Sequence, residues 1–312
     1  MDPQPTAAGA GALPLLVVSG PTGVGKTQVA LELARRLDGE LVGADSVQVY
    51  RGFDIGASKP SPEQLGGIPH HLIDVREPEE VLDAAGYAAL ADEAIRGICA
   101  RGRLPIVVGG TGLWLRALLR GLVALPPVDR ALRARLEAEW DEAGGVAAHA
   151  RLSAVDPISA ARIHPNDKLR VVRALEVYQQ TGQPLGTARS THALGQARYR
   201  DRTFVLDLEP ALYREQVRAR TRAMLQAGLK DEVERLLAKH GPHVRALQSV
   251  GYKQMLAHLR EGLPESELER AIERATLLYA RRQRTWWKSE PGVYARLTPQ
   301  ALLERVHAPL FT

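Results

Sequence analysis

A phosphate-loop motif set between a strand and a helix, short buried apolar runs alternating with helical periodicity, and a long middle stretch of purely helical texture predict an α/β fold. The expected architecture is a P-loop NTPase-like parallel-sheet core with helices on both faces, plus an inserted all-helical domain. The core is expected to take residues 13–122 and 203–312, the insertion 123–202, and a disordered tail 1–12.

The motif is Gly20-Pro21-Thr22-Gly23-Val24-Gly25-Lys26-Thr27, which satisfies G-x-x-x-x-G-K-[ST] at every fixed position. Leu15 to Val18 reads as a buried strand before it. Val29, Ala30, Leu33 and Leu37 recur at helical spacing after it. Glycines let backbone N–H groups converge on phosphate oxygens, and the helix N-terminus adds partial positive charge. Lys26 is placed to neutralise a terminal phosphate, and Thr27 to offer its hydroxyl to a Mg2+ ion on that phosphate. The loop fixes a nucleotide or other polyphosphate ligand without saying which.

The 312-residue chain is 45% hydrophobic and 25% charged, with a formal charge of +5 and a pI near 9.4. That is the composition of a globular protein with mild preference for anionic partners. The single cysteine, Cys99, excludes an intrachain disulfide and a cysteine-built zinc site, and fits a reducing compartment. Met1 to Ala12 lacks the basic start of a targeting peptide, and no apolar run reaches membrane-spanning length. A cytoplasmic location is expected.

In chain order, Glu40 to Val42 reads as a second strand running into Asp45-Ser46-Val47-Gln48-Val49-Tyr50. Ligands of open α/β sheets bind at the carboxyl ends of strands, so Asp45 is placed to face the bound phosphate; the other reading is a cap on the following turn. Lys59, in the loop Gly56 to Pro60, fits either an anion contact or a solvated surface. Adjacent His70 and His71 point to different sides of a strand, which favours structural roles over a shared metal. Ala84 to Arg101 reads as a helix, and Leu104 to Val108 as a buried strand opening into Gly109-Gly110-Thr111-Gly112. An ATPase would end that strand with a magnesium-binding Asp; here glycines and a Thr hydroxyl favour close approach to a ligand, or only a sharp turn.

From Val123 the chain turns to charged helical segments, Asp129 to Ala143, Pro157 to Ile163 and Asp167 to Gln180, with no strand pattern until Thr203 to Leu208. Arg170 and Arg173 lie on neighbouring positions of one helix and read from spacing alone as solvated. Ala211 to His240 is helical, arginine-rich and interrupted by Gly228. Glu265 to Lys288 is a last long helix ending Arg281-Arg282-Gln283-Arg284-Thr285-Trp286-Trp287-Lys288. That basic-aromatic mix suits RNA, or else a helix whose tryptophans enter the core while its arginines are solvated.

Nearly the whole chain resembles the tRNA dimethylallyltransferase family. The resemblance rests on Gly20 to Thr27, Asp45-Ser46-x-Gln48-x-Tyr50, Pro69-His70-His71-Leu72-Ile73-Asp74, Val108 to Leu113, Arg173-Ala174-Leu175-Glu176-Val177, Gly251-Tyr252-Lys253 and Arg282-Gln283-x-Thr285-Trp286. It implies transfer of the dimethylallyl group of dimethylallyl diphosphate to N6 of the adenosine 3′ of a tRNA anticodon. The phosphate loop would then hold a leaving group, which explains the missing strand-end Asp.

By the same resemblance Asp45 would be the general base, with Ser46, Val47 and Gln48 beside the adenine and Thr111 on the reacting nucleotide. Lys26, Thr27 with Mg2+, and Arg220 would hold the diphosphate. Arg133, Leu169, Arg170, Val171, Val172 and Arg173, with Gln248, Gly251, Tyr252 and Lys253, and Arg281, Arg282, Gln283, Thr285, Trp286 and Lys288, would grip the anticodon stem-loop. Leu169 stands where many members carry Gln, which removes one polar contact. No cysteine-rich zinc extension is present, so the chain resembles the bacterial type, and the family implies a monomer without an obligate protein partner.

Three other functions fit parts of the sequence. A small-molecule P-loop kinase would bind ATP in the loop, but lacks the Asp after Val108. A transferase acting on free adenine nucleotides would not need the basic-aromatic helix end. A nucleotide-regulated RNA-binding switch leaves Asp45 without a purpose.

Overall fold

The structure is a computed structural model that describes residues 12–123, 125–192 and 197–306. The expected tail, residues 1–12, lies outside the described residues except for Ala12. In chain order the elements are β1 (Pro14–Ser19), α1 (Lys26–Leu37), β2 (Gly39–Ala44), α2 (Pro62–Leu65), β3 (His70–His71), α3 (Ala84–Ala100), β4 (Leu104–Gly109) and α4 (Gly112–Arg120). Then come α5 (Arg130–Val155), α6 (Pro157–Ala160), α7 (Lys168–Thr181), α8 (Leu185–His192), β5 (Arg200–Leu206), α9 (Pro210–Gln226) and α10 (Leu229–His240). A 3-10 turn at Arg245–Gln248, α11 (Tyr252–Glu261), α12 (Glu265–Ser289), β6 (Val293–Leu297) and α13 (Pro299–Arg305) complete the described chain.

The chain divides into two compact units, Met1–Leu119 with Ala197–Thr312, and Arg120–Gln196. In the first, all six strands form one parallel sheet in the order β3-β2-β4-β1-β5-β6. Leu16, Val18, Leu41, Ile106, Val108, Phe204 and Leu206 share one cluster with Val29, Ala30 and Leu33 of α1 and Leu302 of α13. Their neighbours Val17, Val42 and Val107 are equally buried, so successive side chains fill both faces. Buried Glu40, whose carboxyl is drawn down to about 2 by hydrogen bonds from Arg101 and His71, fastens β2 to β3 and to the end of α3. This gives His71 the structural role expected of it.

The second unit is helical, as the texture predicts. Leu136, Leu152, Val171, Val172, Leu175 and Leu185 form its core. The carboxylate of Glu176, fully buried, pairs with Arg133 at 2.6 Å and Arg173 at 3.0 Å and accepts the Asp129 N–H.

Several elements differ from the sequence reading. Gly144 (φ 81°, ψ 162°) breaks α5 where the first helix is expected to stop, after Ala143, and a second helical stretch that the sequence reading did not predict runs on to Val155. Helix α8 is rich in Gly, Thr and Ser and shows no apolar period. Strand β5 begins at Arg200, and its polar start Arg200-Asp201-Arg202 pairs with Pro14 to Leu16, so these residues belong to the sheet and not to the insertion. Strand β6, of five residues, and α13, of seven, are too short to show a period.

Gly109 shows how tightly the sheet closes at its ligand-binding edge: a Cβ there would lie 2.1 Å from the Ala44 carbonyl oxygen. Substitution by Ala must therefore part β4 from β2. Gly109→Ala is expected to cost about 3 kcal/mol or more, the upper range of overpacking, as a lowered urea midpoint.

Candidate active site

The sheet order places three loops side by side. Strands β2, β4 and β1 are neighbours, with Ala44 opposite Gly109 and Val108 opposite Val18. Their carboxyl ends release Asp45, Gly110-Thr111 and the phosphate loop onto one edge. Ser19 Oγ donates to the Gly109 carbonyl at 2.7 Å and ties β1 to β4 at that level.

The phosphate loop has left-handed glycines at Gly23 (φ 79°) and Gly25 (φ 92°), the latter leading directly into α1. Such a backbone turns N–H groups toward the loop centre and the helix N-terminus. Lys26 Nζ donates to the carbonyls of Gly20 at 3.1 Å and Pro21 at 2.8 Å. Burial pushes its ammonium down to about 8; the Asp45 carboxylate opposes the shift and the Arg220 guanidinium adds to it. From α9, Arg220 donates through Nε to Ser58 Oγ at 3.1 Å and through a terminal nitrogen to Thr22 Oγ1 at 3.3 Å. Burial lowers its pKa as well, with Asp45 again opposing. Two cations thus crowd one loop, which an anion would relieve.

Asp45 realises both readings offered by the sequence. Its Oδ1 accepts the N–H groups of Val47 at 2.9 Å and Gln48 at 3.3 Å, a capping turn. The residue also lines the cavity. Among the described residues no hydrogen bond engages Oδ2, so one carboxylate oxygen is held by backbone and the other is available to a ligand. Thr111 Oγ1 accepts the Ser46 N–H at 3.1 Å, which leaves its own O–H to donate.

A cavity of about 700 Å3 is lined by Thr22, Gly23, Gly25, Lys26 and Thr27 of the phosphate loop and the start of α1, by Asp45 and Gln48 after β2, by Val108 and Gly109 of β4 and by Arg220 and Ala223 of α9. Leu31, Ala57 and Pro60 add apolar surface. Among the described residues no group of three or more His, Cys, Asp or Glu could hold a metal ion. Oxygen donors in the cavity, the Thr27 hydroxyl and the Asp45 carboxylate, suit a hard cation that keeps water and phosphate ligands. They do not make a closed protein cage.

The last helix resolves into two faces. Thr276, Ala280, Gln283 and Trp287 form its buried stripe, while Arg281, Arg282, Thr285 and Lys288 are exposed. Of the run's two tryptophans Trp287 enters the core, while its exposed basic residues face solvent. Gln283 requires a correction. Expected on RNA, it is buried, accepts the Thr22 N–H at 2.8 Å and donates to the Gly110 carbonyl at 2.9 Å, so it links the phosphate loop to the β4 loop. Trp286 is half-buried, its ring so close over Gly112 that a Cβ there would lie 2.5 Å from it. Tyr252 is fully buried with its hydroxyl engaged by Glu232 and the Ala57 N–H, and the side chains of Val171 and Val172 are in the core of the second unit; none of these three side chains is free to meet RNA. Gln248 and Lys253 are exposed, and Gly251 (φ 92°) starts α11.

Lys59 is neither an anion contact nor solvated. Its ammonium is buried and held by the Tyr50 carbonyl at 2.7 Å, Asp54 at 2.8 Å and Asp74, which also gives the Asp of the His-His-Leu-Ile-Asp motif its purpose. In the second unit Arg170 and Leu169 are exposed, whereas Arg133 and Arg173 are half-buried on Glu176.

Sequence reasoning missed Tyr213, Arg284 and Tyr279. Tyr213 donates to the Thr22 carbonyl at 2.7 Å beneath the Arg284 guanidinium, itself paired with Asp207 at the end of β5. Tyr279 lies under Arg282; burial and the Asp45 carboxylate push its phenol up to about 12, with Arg282 opposing. The period of the buried stripe on α12 was the available signal for Gln283.

The site defines a class: a phosphate-loop protein whose cavity pairs a polyphosphate cradle with a carboxylate and carries no strand-end acid on β4. Residues 48–290 match the family model described as IPP transferase. The chain is 49% identical over 95% of its length to a tRNA dimethylallyltransferase of Anaeromyxobacter dehalogenans, of which 97% is covered. It is 48% identical to that of Symbiobacterium thermophilum, over 89% of this chain and 87% of the relative. The crystal structure of full-length tRNA isopentenylpyrophosphate transferase from Bacillus halodurans superposes with a TM-score of 0.69, at 35% identity over 94% of both chains. A eukaryotic dimethylallyltransferase acting on tRNA superposes at 0.77, with 26% identity over 95% of this chain and 77% of that one. The chain belongs to the IPP transferase family.

The Lys26 shift sets a pH dependence. An ammonium depressed to about 8 is charged at neutral pH and is neutralised as pH rises through that value. Affinity for inorganic diphosphate is therefore expected to fall between about pH 7 and 9.5. Equilibrium dialysis should show this decline in the wild type and a weaker, flatter profile in Lys26→Met.

Proposed function

We propose that the chain transfers the dimethylallyl group of dimethylallyl diphosphate to N6 of the adenosine 3′ of the anticodon in tRNA, releasing diphosphate. The observation that carries this is the single cavity in which Asp45 faces the phosphate loop. Adenine N6 is a weak nucleophile because its lone pair is delocalised, and diphosphate is a leaving group only when its charge is met. Asp45 Oδ2 accepts the N6 proton as the N6–C1 bond forms. The C1–O bond breaks, and its electron pair stays on the diphosphate, held by the loop N–H groups, Lys26 and Arg220. Thr111 donates its O–H toward the nucleotide. Thr27, with Asp45 near by, would hold Mg2+, which when bound supplies further neutralisation of the diphosphate charge.

The target base must leave its stack to enter the cavity, and an anticodon loop makes that comparatively easy. The exposed Arg281, Arg282 and Lys288 on α12, with Lys253, offer cations to the phosphates of the stem-loop. The absence of an acid at the end of β4 disfavours a kinase, since nothing there would hold the magnesium of ATP.

Incubation with labelled dimethylallyl diphosphate, AMP and bulk tRNA tests the reading: label is expected on tRNA adenosine, and label on AMP alone would overturn it. Asp45→Asn is expected to bind both substrates yet lose about 10²–10⁴-fold in single-turnover rate, because an amide cannot take the proton. Arg282→Ala should raise the KM for tRNA and lower the salt slope by about 0.7 to 0.9, with little change in the KM for dimethylallyl diphosphate. An unchanged slope would make Arg282 a solvated charge stacked on Tyr279.

A further inference from the structure

One buried carboxylate near the cavity has no part in the transfer as described. Glu232 sits in the first turn of α10, where the helix N-terminus favours negative charge. Its Oε2 accepts the N–H groups of Asp54 at 3.1 Å and Ile55 at 2.7 Å, and its Oε1 accepts that of Gly56 at 3.1 Å and the Tyr252 hydroxyl at 2.6 Å. That hydroxyl in turn accepts the Ala57 N–H at 3.1 Å. Four consecutive backbone N–H groups thus close on one carboxylate and its tyrosine. Only glycine fits at 56, because a Cβ there would lie 2.5 Å from the Tyr252 ring.

The far side of the same loop handles the site. Its Ala57 and Ser58 carbonyls accept both hydrogen bonds of the Gln48 side-chain amide, at 2.9 and 3.2 Å. Ser58, held at φ 51°, turns its Oγ to the Arg220 Nε that completes the phosphate loop. We propose that Glu232, acting with Tyr252, is a positioning residue for the transfer: it clamps residues 54–57 so that Ser58 sets the Arg220 guanidinium on the diphosphate. Charged acceptors make the stronger hydrogen bonds, and an amide in place of the carboxylate would turn donors toward at least one of the loop N–H groups.

The kinetic readout rests on the proposed transfer, but diphosphate binding does not, so failure of one is distinguishable from failure of the other. In Glu232→Gln, calorimetry with inorganic diphosphate is expected to show a Kd raised about tenfold, and the single-turnover rate to fall about 10²-fold from misplacement of the guanidinium. The KM for tRNA should stay within about twofold. In an Arg220→Ala background the same substitution should change the diphosphate Kd by less than about twofold, since both act through one group. Tyr252→Phe removes two of the clamp's hydrogen bonds with little change in shape, and is expected to show the same split; it carries the test should Glu232→Gln lose its cooperative melt. Additive losses in the Arg220→Ala background, wild-type diphosphate binding in a folded Glu232→Gln or Tyr252→Phe, or an equal loss in tRNA KM would each overturn the proposal and leave Glu232 as a fold-stabilising group.

Discussion

The structure depends on how closely the ends of four strands, β1, β2, β4 and β5, approach one another. Gly20 lies against the Leu206 carbonyl, Gly109 against that of Ala44, and Gly110 against Gln283, each at a separation that admits no side chain. These contacts bring the phosphate loop, Asp45 and Gly109 to the edge of one cavity. The glycines after β4 therefore satisfy a packing requirement first, and a ligand-binding one through it.

Around that edge, groups from distant parts of the sequence hold the phosphate loop. Thr22 alone meets Gln283 through its N–H, Tyr213 through its carbonyl and Arg220 through its hydroxyl. A loop fixed on three sides reorganises little when charge develops on a leaving group, which is what electrostatic stabilisation requires. The two depressed cations, Lys26 and Arg220, are the cost of such an arrangement without its anion. A kinase would place the reaction at a terminal phosphate and need an acid at the end of β4. Here the polar partner, Asp45, stands after β2 instead.

What the sequence made legible were features carried by local pattern. The phosphate loop, the β1, β4 and α3 segments and the turn at Gly228 are all read from periodicity and glycine placement. The position of Asp45 beside the loop followed from the rule for strand ends, although the order of β2 and β4 did not. Illegible were contacts that depend on tertiary pairing: Glu176 holding Arg133 and Arg173, Lys59 with Asp54 and Asp74, and the backbone groups that Gln283 meets once the period of α12 turns it inward. A polar residue looks the same in sequence whether it meets solvent, RNA or a buried backbone group. Polar strand starts such as Arg200 to Arg202 and short elements such as β6 and α13 carry no periodic signal.

The central claim is that the phosphate loop holds a leaving group, so that the bond broken is the one between carbon C1 and its oxygen. Dimethylallyl diphosphate labelled with 18O at the bridging position tests this most directly, with the released phosphates and the alkylated nucleoside both analysed by mass spectrometry. The account predicts that all of the label leaves with diphosphate, one per adenosine alkylated. Label retained on the five-carbon unit, or release of orthophosphate in step with turnover, would contradict it.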